Sequence, residues 1–401
     1  MNYPNINGDE KLNYLQRANE IYKDLVEIRR HIHQHPELGY ELPETAKFVK
    51  EKLAEYGIEG HDFSKGGVTA VIGKEGGKTI LLRADMDALP IIEKSGLDFA
   101  SKIEGRCHAC GHDIHPTILL GAARLLKENE DKLEGQVKFI FQPAEELLTG
   151  GGVMVDEGIL ENPKVDAAMG LHVWPHADRI GIGYNKGVMM SSANNFRIKI
   201  KGVGCHGSMP YVGIDPVFIG AKIVTGVPEL IAREIKFDES AVVTMGKFVA
   251  NGAINVIPAE AVIEGTVRTF SNETREYIKK RLPELVSDIA KTYRGEAELE
   301  FLSDCPVLIN NTELAEEALG YLKEIDKDLF LQEIPRQSGS EDFAYYANKV
   351  PAFFFVLQNP VEDESKRRPL HHPEVLFNEE AMPLGVAALA QLATRWLEDN
   401  K

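Results

Sequence analysis

The chain has 401 residues, 43% of them hydrophobic and 27% charged, with a formal net charge of −17. That length sets the expectation at two domains, the composition is that of a globular protein, no apolar run nears the roughly 18 residues of a membrane span, and the acidic balance works against nucleic acid as a partner. The stretch MNYPNINGDEKLNYLQ lacks the basic and apolar regions of a secretory signal and so predicts a cytoplasmic location, while four cysteines (Cys107, Cys110, Cys205, Cys305) are too few to staple a chain of this size.

Apolar residues at helical spacing in LNYLQRANEIYKDLVEIRRHIHQHPE predict one long helix stopping at Pro36, and ETAKFVKEKLAEYG predicts a second, closed by Gly57. VTAVIG and KTILLRAD read as strands, 116–129 as a helix, and QVKFIFQPAEE and AAMGLHVWP as strands again. This alternation predicts an α/β fold with a mostly parallel sheet and helices on both faces.

After Gly187 the pattern changes. FRIKIKG is an alternating strand, DPVFIGAKIVTGVPELIARE a helix, SAVVTMGKFV and AVIEGTVRTF strands, NETREYIKKRLPELVSDIAKTYRG a helix and AELEFLSD a strand. The order β-α-β-β-α-β is the ferredoxin-like arrangement, a small sheet with two helices on one face. The first pattern then resumes in ELAEEALGYLKEI, PAFFFVLQ and MPLGVAALAQLATRWLEDN. The α/β domain is therefore expected to comprise residues 1–190 and 306–401, with 191–305 inserted as an α+β domain; NPVEDESKRRPLHHPE is the longest irregular segment.

The stretch RCHACGHDIH, residues 106–115, holds two cysteines, three histidines and an aspartate. Further candidate ligands are Glu145 and Glu146 in FQPAEE, His172 in MGLHVWP, and His371 and His372 in PLHHPE. Strand ends of an open α/β sheet converge on one crevice, and convergence is what a metal site needs. Thiolate, imidazole and carboxylate together suit zinc or a neighbouring first-row metal, whereas calcium and magnesium want oxygen ligands. More donors than one tetrahedral ion requires point to two ions, which can share a bridging ligand and a water of lowered pKa. One of the tandem glutamates can then ligate while its neighbour acts as general base.

Plainer readings stand beside these. Cys107 and Cys110 form C-x-x-C, a redox pair or half a structural zinc site, yet no second such pair completes a cysteine-rich set. His31 and His35 are four residues apart but lack the glutamate of HExxH, which favours a structural role. His61 and His176 lie in polar loops, His115 opens a helix and could only support ligands, and Cys305 reads as a small core residue.

The strings RRHIHQHPELGYE, LLRADMDALPI, HACGHDIH, FQPAEE, GLHVWP, CHGSMP, NVIP, GTVRTF, GSEDFAYY and LHHP occur in order over about residues 29–373. This set resembles the dinuclear metallohydrolases that include aminoacylases, glutamate carboxypeptidase and succinyl-diaminopimelate desuccinylase. Its nearest branch looks like the amidohydrolases typified by hippurate hydrolase, auxin-conjugate hydrolases and N-acetyldiaminopimelate deacetylase. The resemblance implies a catalytic α/β domain with an inserted lid and dimerisation domain. It makes Cys110, His112, Glu146, His172 and His371 the ligands of two divalent ions (zinc, manganese, cobalt or nickel), with Cys110 bridging and Glu145 the general base. Asp87 and Asp113 become supporting acids, His206 the residue that stabilises the oxyanion, and Asn255 and Arg268 the residues that hold substrate. A guanidinium suits that last task because it grips a carboxylate through two parallel hydrogen bonds.

The implied activity is hydrolysis of the amide bond of N-acyl amino acids or similar small conjugates, by a homodimer formed through the insert. A carboxypeptidase or dipeptidase with the same centre is the alternative, and a non-catalytic zinc-binding or redox protein the reading from another class. Two positions depart from the branch: Cys107 stands where methionine is common and Cys205 where glycine is common. Cys107 is accordingly expected either to be inert or to compete for Cys110 as a thiolate or disulfide partner.

Overall fold

A computed structural model of the chain describes residues 13–401. Most of the polar N-terminal stretch, and Leu12 at the start of the first predicted helix, lie outside the described residues. That helix is in fact two, Tyr14–Glu20 and Tyr22–Gln34. They part at Ile21, whose N–H turns to the carbonyls of Arg17 and Asn19 while its side chain goes into the core. The next helix, Pro43–Glu55, starts on its proline, where no N–H is needed, and is closed by Gly57 at φ 75°.

The large sheet has eight strands, in the spatial order His61–Phe63, Gly67–Gly73, Gln136–Gln142, Thr79–Asp85, Ala167–Trp174, Ala352–Gln358, Gly181–Tyr184 and Leu331–Glu333. Its four central strands, from Gln136–Gln142 to Ala352–Gln358, are mutually parallel. The period-2 alternation of strands sorts their side chains into two cores. Ile80, Leu82, Phe353 and Phe355 face a core shared with the long helices Ile114–Lys127 and Met382–Asp399. Leu81, Phe354 and Val356 face a smaller core with Met154, Phe343 and Tyr346. The long helices therefore cover one face, and among the described residues the other carries only the short helices Gly150–Asp156 and Ala344–Ala347.

Residues 194–301 form a separate antiparallel sheet in the order Ala241–Val249, Glu260–Thr269, Asn194–Lys201, Glu296–Phe301. Helices Pro216–Glu234 and Asn272–Thr292 pack on one face over Phe196, Ile198, Ile200 and Ile263. The chain enters and leaves this sheet side by side, since Ala193 and Cys305 exchange backbone hydrogen bonds of 3.0 and 3.1 Å.

Three short strands of the large sheet, His61–Phe63, Gly181–Tyr184 and Leu331–Glu333, and the helix Gly150–Asp156 are additions to the elements expected from sequence, and the first puts His61 on an edge strand and not in a loop. A helix beginning Gly-Gly-Gly has poor intrinsic propensity and escapes a periodicity reading. The structure supplies the reason for those glycines. A Cβ on Gly150 would stand 1.7 Å from the Pro143 carbonyl oxygen, and one on Gly151 would stand 2.6 Å from that of Asp342.

Candidate metal centre

The carboxyl ends of three parallel strands open onto one crevice. Strand Thr79–Asp85 runs into Asp87, strand Gln136–Gln142 into the turn Pro143 to Glu146, and strand Ala167–Trp174 carries His172 near its end. Cys110, His112 and Asp113 come from the loop that enters helix Ile114–Lys127, and His371 from the long irregular segment. Backbone strain marks two of these places, because Ala144, just before the glutamates, and His371 itself have φ of 57° and 65°. Left-handed geometry is uncommon outside glycine and gathers at sites where side chains must be aimed.

Candidate ligand atoms meet in overlapping groups: Cys110 with His112 and His172, Cys110 with Glu146 and His371, and His112 with Glu145 and Glu146, all within 4.8 Å of one another inside each group. Cys110 Sγ lies 3.3 Å from His172 Nε2, and His371 Nε2 lies 3.5 Å from Glu146 Oε2. Second hydrogen bonds set the tautomers. His112 Nδ1 donates to the Asp87 carbonyl oxygen at 2.8 Å and His172 Nδ1 to that of Val173 at 2.7 Å, so both Nε2 atoms are left as acceptors. His112 Nε2 and Glu146 Oε1 are buried without a hydrogen-bond partner. Buried polar atoms are rarely left so, and two lone-pair donors aimed at each other's neighbourhood fit divalent cations. Burial holds His172 well below the ordinary histidine range and lowers His371 too, which keeps both rings in the neutral form that metals bind.

Glu145 is differently placed. Its Oε1 accepts the Asp342 N–H at 3.4 Å, and burial, reinforced by Glu341, Asp342 and Glu146, pushes its carboxyl well above the usual range. A carboxyl raised in this way suits a group that must take up and return a proton.

The two supporting acids act differently from each other. Asp87 orients His112 through its main-chain carbonyl, while its carboxylate accepts the backbone N–H groups of Glu145 and Glu146 at 2.9 and 3.2 Å. The Asp113 carboxylate faces away from the ligand histidines, toward Arg29 Nε and His33 Nδ1, each at 2.8 Å. Of the neighbours in RCHACGHDIH, His115 uses both ring nitrogens elsewhere, on Asp85 Oδ1 and on the Val173 N–H. His108 is buried with neither ring nitrogen bonded, and burial pushes its pKa down to about 3. Cys107 pairs its backbone with Leu89 in the main core, and among the described residues no metal-capable group includes it. The expected competition from its thiolate lacks geometry, and burial pushes that thiol up to about 12. Cys205 lies half-buried where a Cβ on Gly213 would come within 2.4 Å of its sulfur.

Three residues of 194–301 stand apart from the ligand groups. His206 is exposed, with Nδ1 on the Ser208 hydroxyl at 2.8 Å, and Asn255 is exposed on the adjacent strand–turn. Arg268 is half-buried and donates through Nη1 to Ser340 Oγ. The remaining ring positions are peripheral: His31 stacks on Phe48 with centroids 4.0 Å apart, His35 bonds the His31 carbonyl oxygen, His61 and His176 are exposed, and half-buried His372 accepts the Glu374 N–H through Nδ1 at 3.1 Å.

Sequence reasoning missed the polar cluster under the site. Arg83, fully buried in its strand, donates Nη1 to Asp85 at 2.8 Å, Nη2 to Asp342 at 2.7 Å and to Glu341 at 2.9 Å, and Nε to Gln142 at 3.0 Å. Burial opposes its charge, but Asp85, Glu341 and Asp342 outweigh that. The available signal was Arg83 and Asp85, two charges of opposite sign on one face of an otherwise apolar strand; charged groups enter a core only when paired.

The sequence model of the peptidase family M20/M25/M40 matches residues 81–395. N-acetyl-L-cysteine deacetylase of Bacillus subtilis is 37% identical over 404 aligned residues, covering 98% of this chain and 94% of that protein. Thermostable carboxypeptidase 2 of Saccharolobus solfataricus is 35% identical, covering 94% of this chain and 96% of the relative. The crystal structure of a Bacillus subtilis dinuclear metal-binding peptidase of the M20 family superposes with a TM-score of 0.79 at 34% identity, over 95% of this chain and 99% of the other.

Proposed function

The chain belongs to the peptidase family M20/M25/M40, and from that premise we propose that it hydrolyses the amide bond of N-acyl amino acids or related small conjugates. The observation that carries this reading is the meeting of Cys110, His112, Glu146, His172 and His371 around two orphaned buried donors, His112 Nε2 and Glu146 Oε1. Those five residues would hold two divalent ions, and Cys110 is common to two of the groups. Zinc, manganese, cobalt and nickel all accept this donor set. When bound, such ions polarise a carbonyl and lower the pKa of water.

Glu145 takes the proton of the attacking water and returns it to the leaving amine. The backbone bond from Asp342 holds one of its oxygens, and the grip of Asp87 on its N–H fixes its main chain. Arg268, whose guanidinium hydrogen-bonds only the Ser340 hydroxyl among the described residues, binds the carboxylate of the amino-acid half. Asn255 also holds substrate, and His206 stabilises the oxyanion once the domain 191–305 closes over the crevice.

A homodimer forms through that domain. Its edge strand Ala241–Val249 exposes Val242, Phe248 and Val249, and helix Pro216–Glu234 exposes Val217, Phe218 and Val224, an apolar face beside an unpaired strand edge. A cytoplasmic location fits four free thiols. No helix among the described residues is long and apolar enough to cross a membrane.

A peptide substrate is the second reading, favoured by the carboxypeptidase relative. A screen of N-acetyl, N-benzoyl and peptide substrates against protein reconstituted with each metal decides between them. One tightly held ion and no turnover of any substrate would remove both.

A further inference from the structure

We propose that Ser340 is a positioning residue for Arg268, holding the guanidinium so that its free edge meets a substrate carboxylate; this rests on the reading of Arg268 given above. Arg268 Nη1 donates to Ser340 Oγ, and none of the other guanidinium N–H groups has a partner among the described residues. The guanidinium offers five N–H donors in a rigid fork. With Nη1 committed to Ser340, the Nε–Nη2 edge remains for a bidentate carboxylate. Burial lowers the pKa of Arg268, with Cys305 acting against it.

Ser340 is itself oriented. Ser191 Oγ lies 2.8 Å from the Ser338 carbonyl oxygen, which can only accept, so the Ser191 hydroxyl hydrogen is spent there. In the 3.4 Å contact between the two serine hydroxyls, Ser340 is then the donor, and its lone pairs turn to Arg268. Ser191 is buried at the point where the chain crosses toward the four-stranded sheet, and its N–H bonds the Gly339 carbonyl oxygen at 2.9 Å. On the other side of Ser340, Glu341 and Asp342 are held by Arg83, and the Asp342 N–H reaches Glu145. The turn 338–342 is thus mounted at both ends, with the Arg268 contact between them. A long arginine side chain pinned in this way loses less freedom when it grips a carboxylate.

The test compares N-acetyl-L-methionine with N-acetyl-L-methioninamide as substrates of the metal-loaded parent, Ser340→Ala and Ser340→Thr. Loss of the pin raises KM for the acid about tenfold, the factor a lost hydrogen bond to a charged group is worth. It leaves kcat within about twofold and the amide unaffected. Threonine keeps the hydroxyl and restores the parent KM. Equal losses on acid and amide, a fall in kcat at constant KM, no change in KM for the acid, or failure of threonine to rescue would each overturn the proposal. Arg268→Ala is run in parallel. If it leaves the preference for acid over amide intact, the reading of Arg268 falls; if it abolishes the preference while Ser340→Ala preserves it, only the role of Ser340 falls.

Discussion

Asp87 Oδ1 accepts the backbone N–H of Glu145 at 2.9 Å. The other oxygen of the same carboxylate takes the N–H of Glu146 at 3.2 Å, and the Asp87 carbonyl oxygen takes His112 Nδ1. One residue thus sets the tandem glutamates and a candidate ligand histidine at once. In Asp87→Asn one of the two acceptor oxygens becomes a donor facing an N–H, and the glutamate turn must shift. Metal affinity is expected to fall about 10- to 100-fold, the usual effect of removing a partner that orients ligands. Metal titration of the apo-protein measures it, and unchanged affinity would contradict the assignment.

Glu145 and Glu146 are neighbours with separate proposed tasks, which makes their variants separable. Glu145→Ala is expected to keep the metal content of the parent and lose turnover by about two orders of magnitude or more. Glu146→Ala removes a ligand and lowers the metal content. Elemental analysis beside steady-state kinetics reads both, and near-normal turnover of Glu145→Ala would remove it as the base.

Cys107 and Cys110 differ in the same way. Cys110 takes part in two of the ligand groups, whereas Cys107 takes part in none of those among the described residues; burial raises both thiols, that of Cys107 to about 12. Thiolate is the form that reacts with oxidants. Hydrogen peroxide is therefore expected to inactivate the parent and Cys107→Ser at the same rate. Slower loss in the variant would restore the disulfide between Cys107 and Cys110 as a redox device.

His33 ties the stability of the ligand loop to pH. Burial works against its charge, but Asp113 and Glu93 outweigh burial and raise its pKa from 6.5 to about 9. A raised pKa stabilises the fold fully below about pH 6.5 and loses that contribution as pH climbs through about 9, a span worth about 3 kcal/mol at most. The melting temperature of His33→Gln should lie furthest below the parent near pH 6 and approach it by pH 10. A gap that stays constant over that range would show that the imidazolium does not contribute.

How much of this was legible beforehand depends on the kind of residue. Strand Ala352–Gln358 and the helices Ile114–Lys127 and Met382–Asp399 announce themselves because apolar periodicity is local and strong. Helix Gly150–Asp156 does not, because its glycines answer to the Pro143 and Asp342 carbonyl oxygens and not to helix propensity. The five candidate ligands could be named from residue type, strand ends and family pattern. Arg83, Glu341 and Ser340 could not be given a place, because their partners lie far along the chain: Arg83 meets Asp342, and Ser340 meets Arg268.

By itself, then, the sequence determines the α/β class, the β-α-β-β-α-β order of the segment 194–301 and the identities of the donors, since these follow from local periodicity and side-chain chemistry. Tertiary structure alone decides which nitrogen of each histidine is free, which acid supports which ligand, and that Cys107 stands outside the centre. The reason is physical: a donor's tautomer, charge and aim are set by the groups packed against it, and those groups are brought together only when distant strands and loops share one crevice.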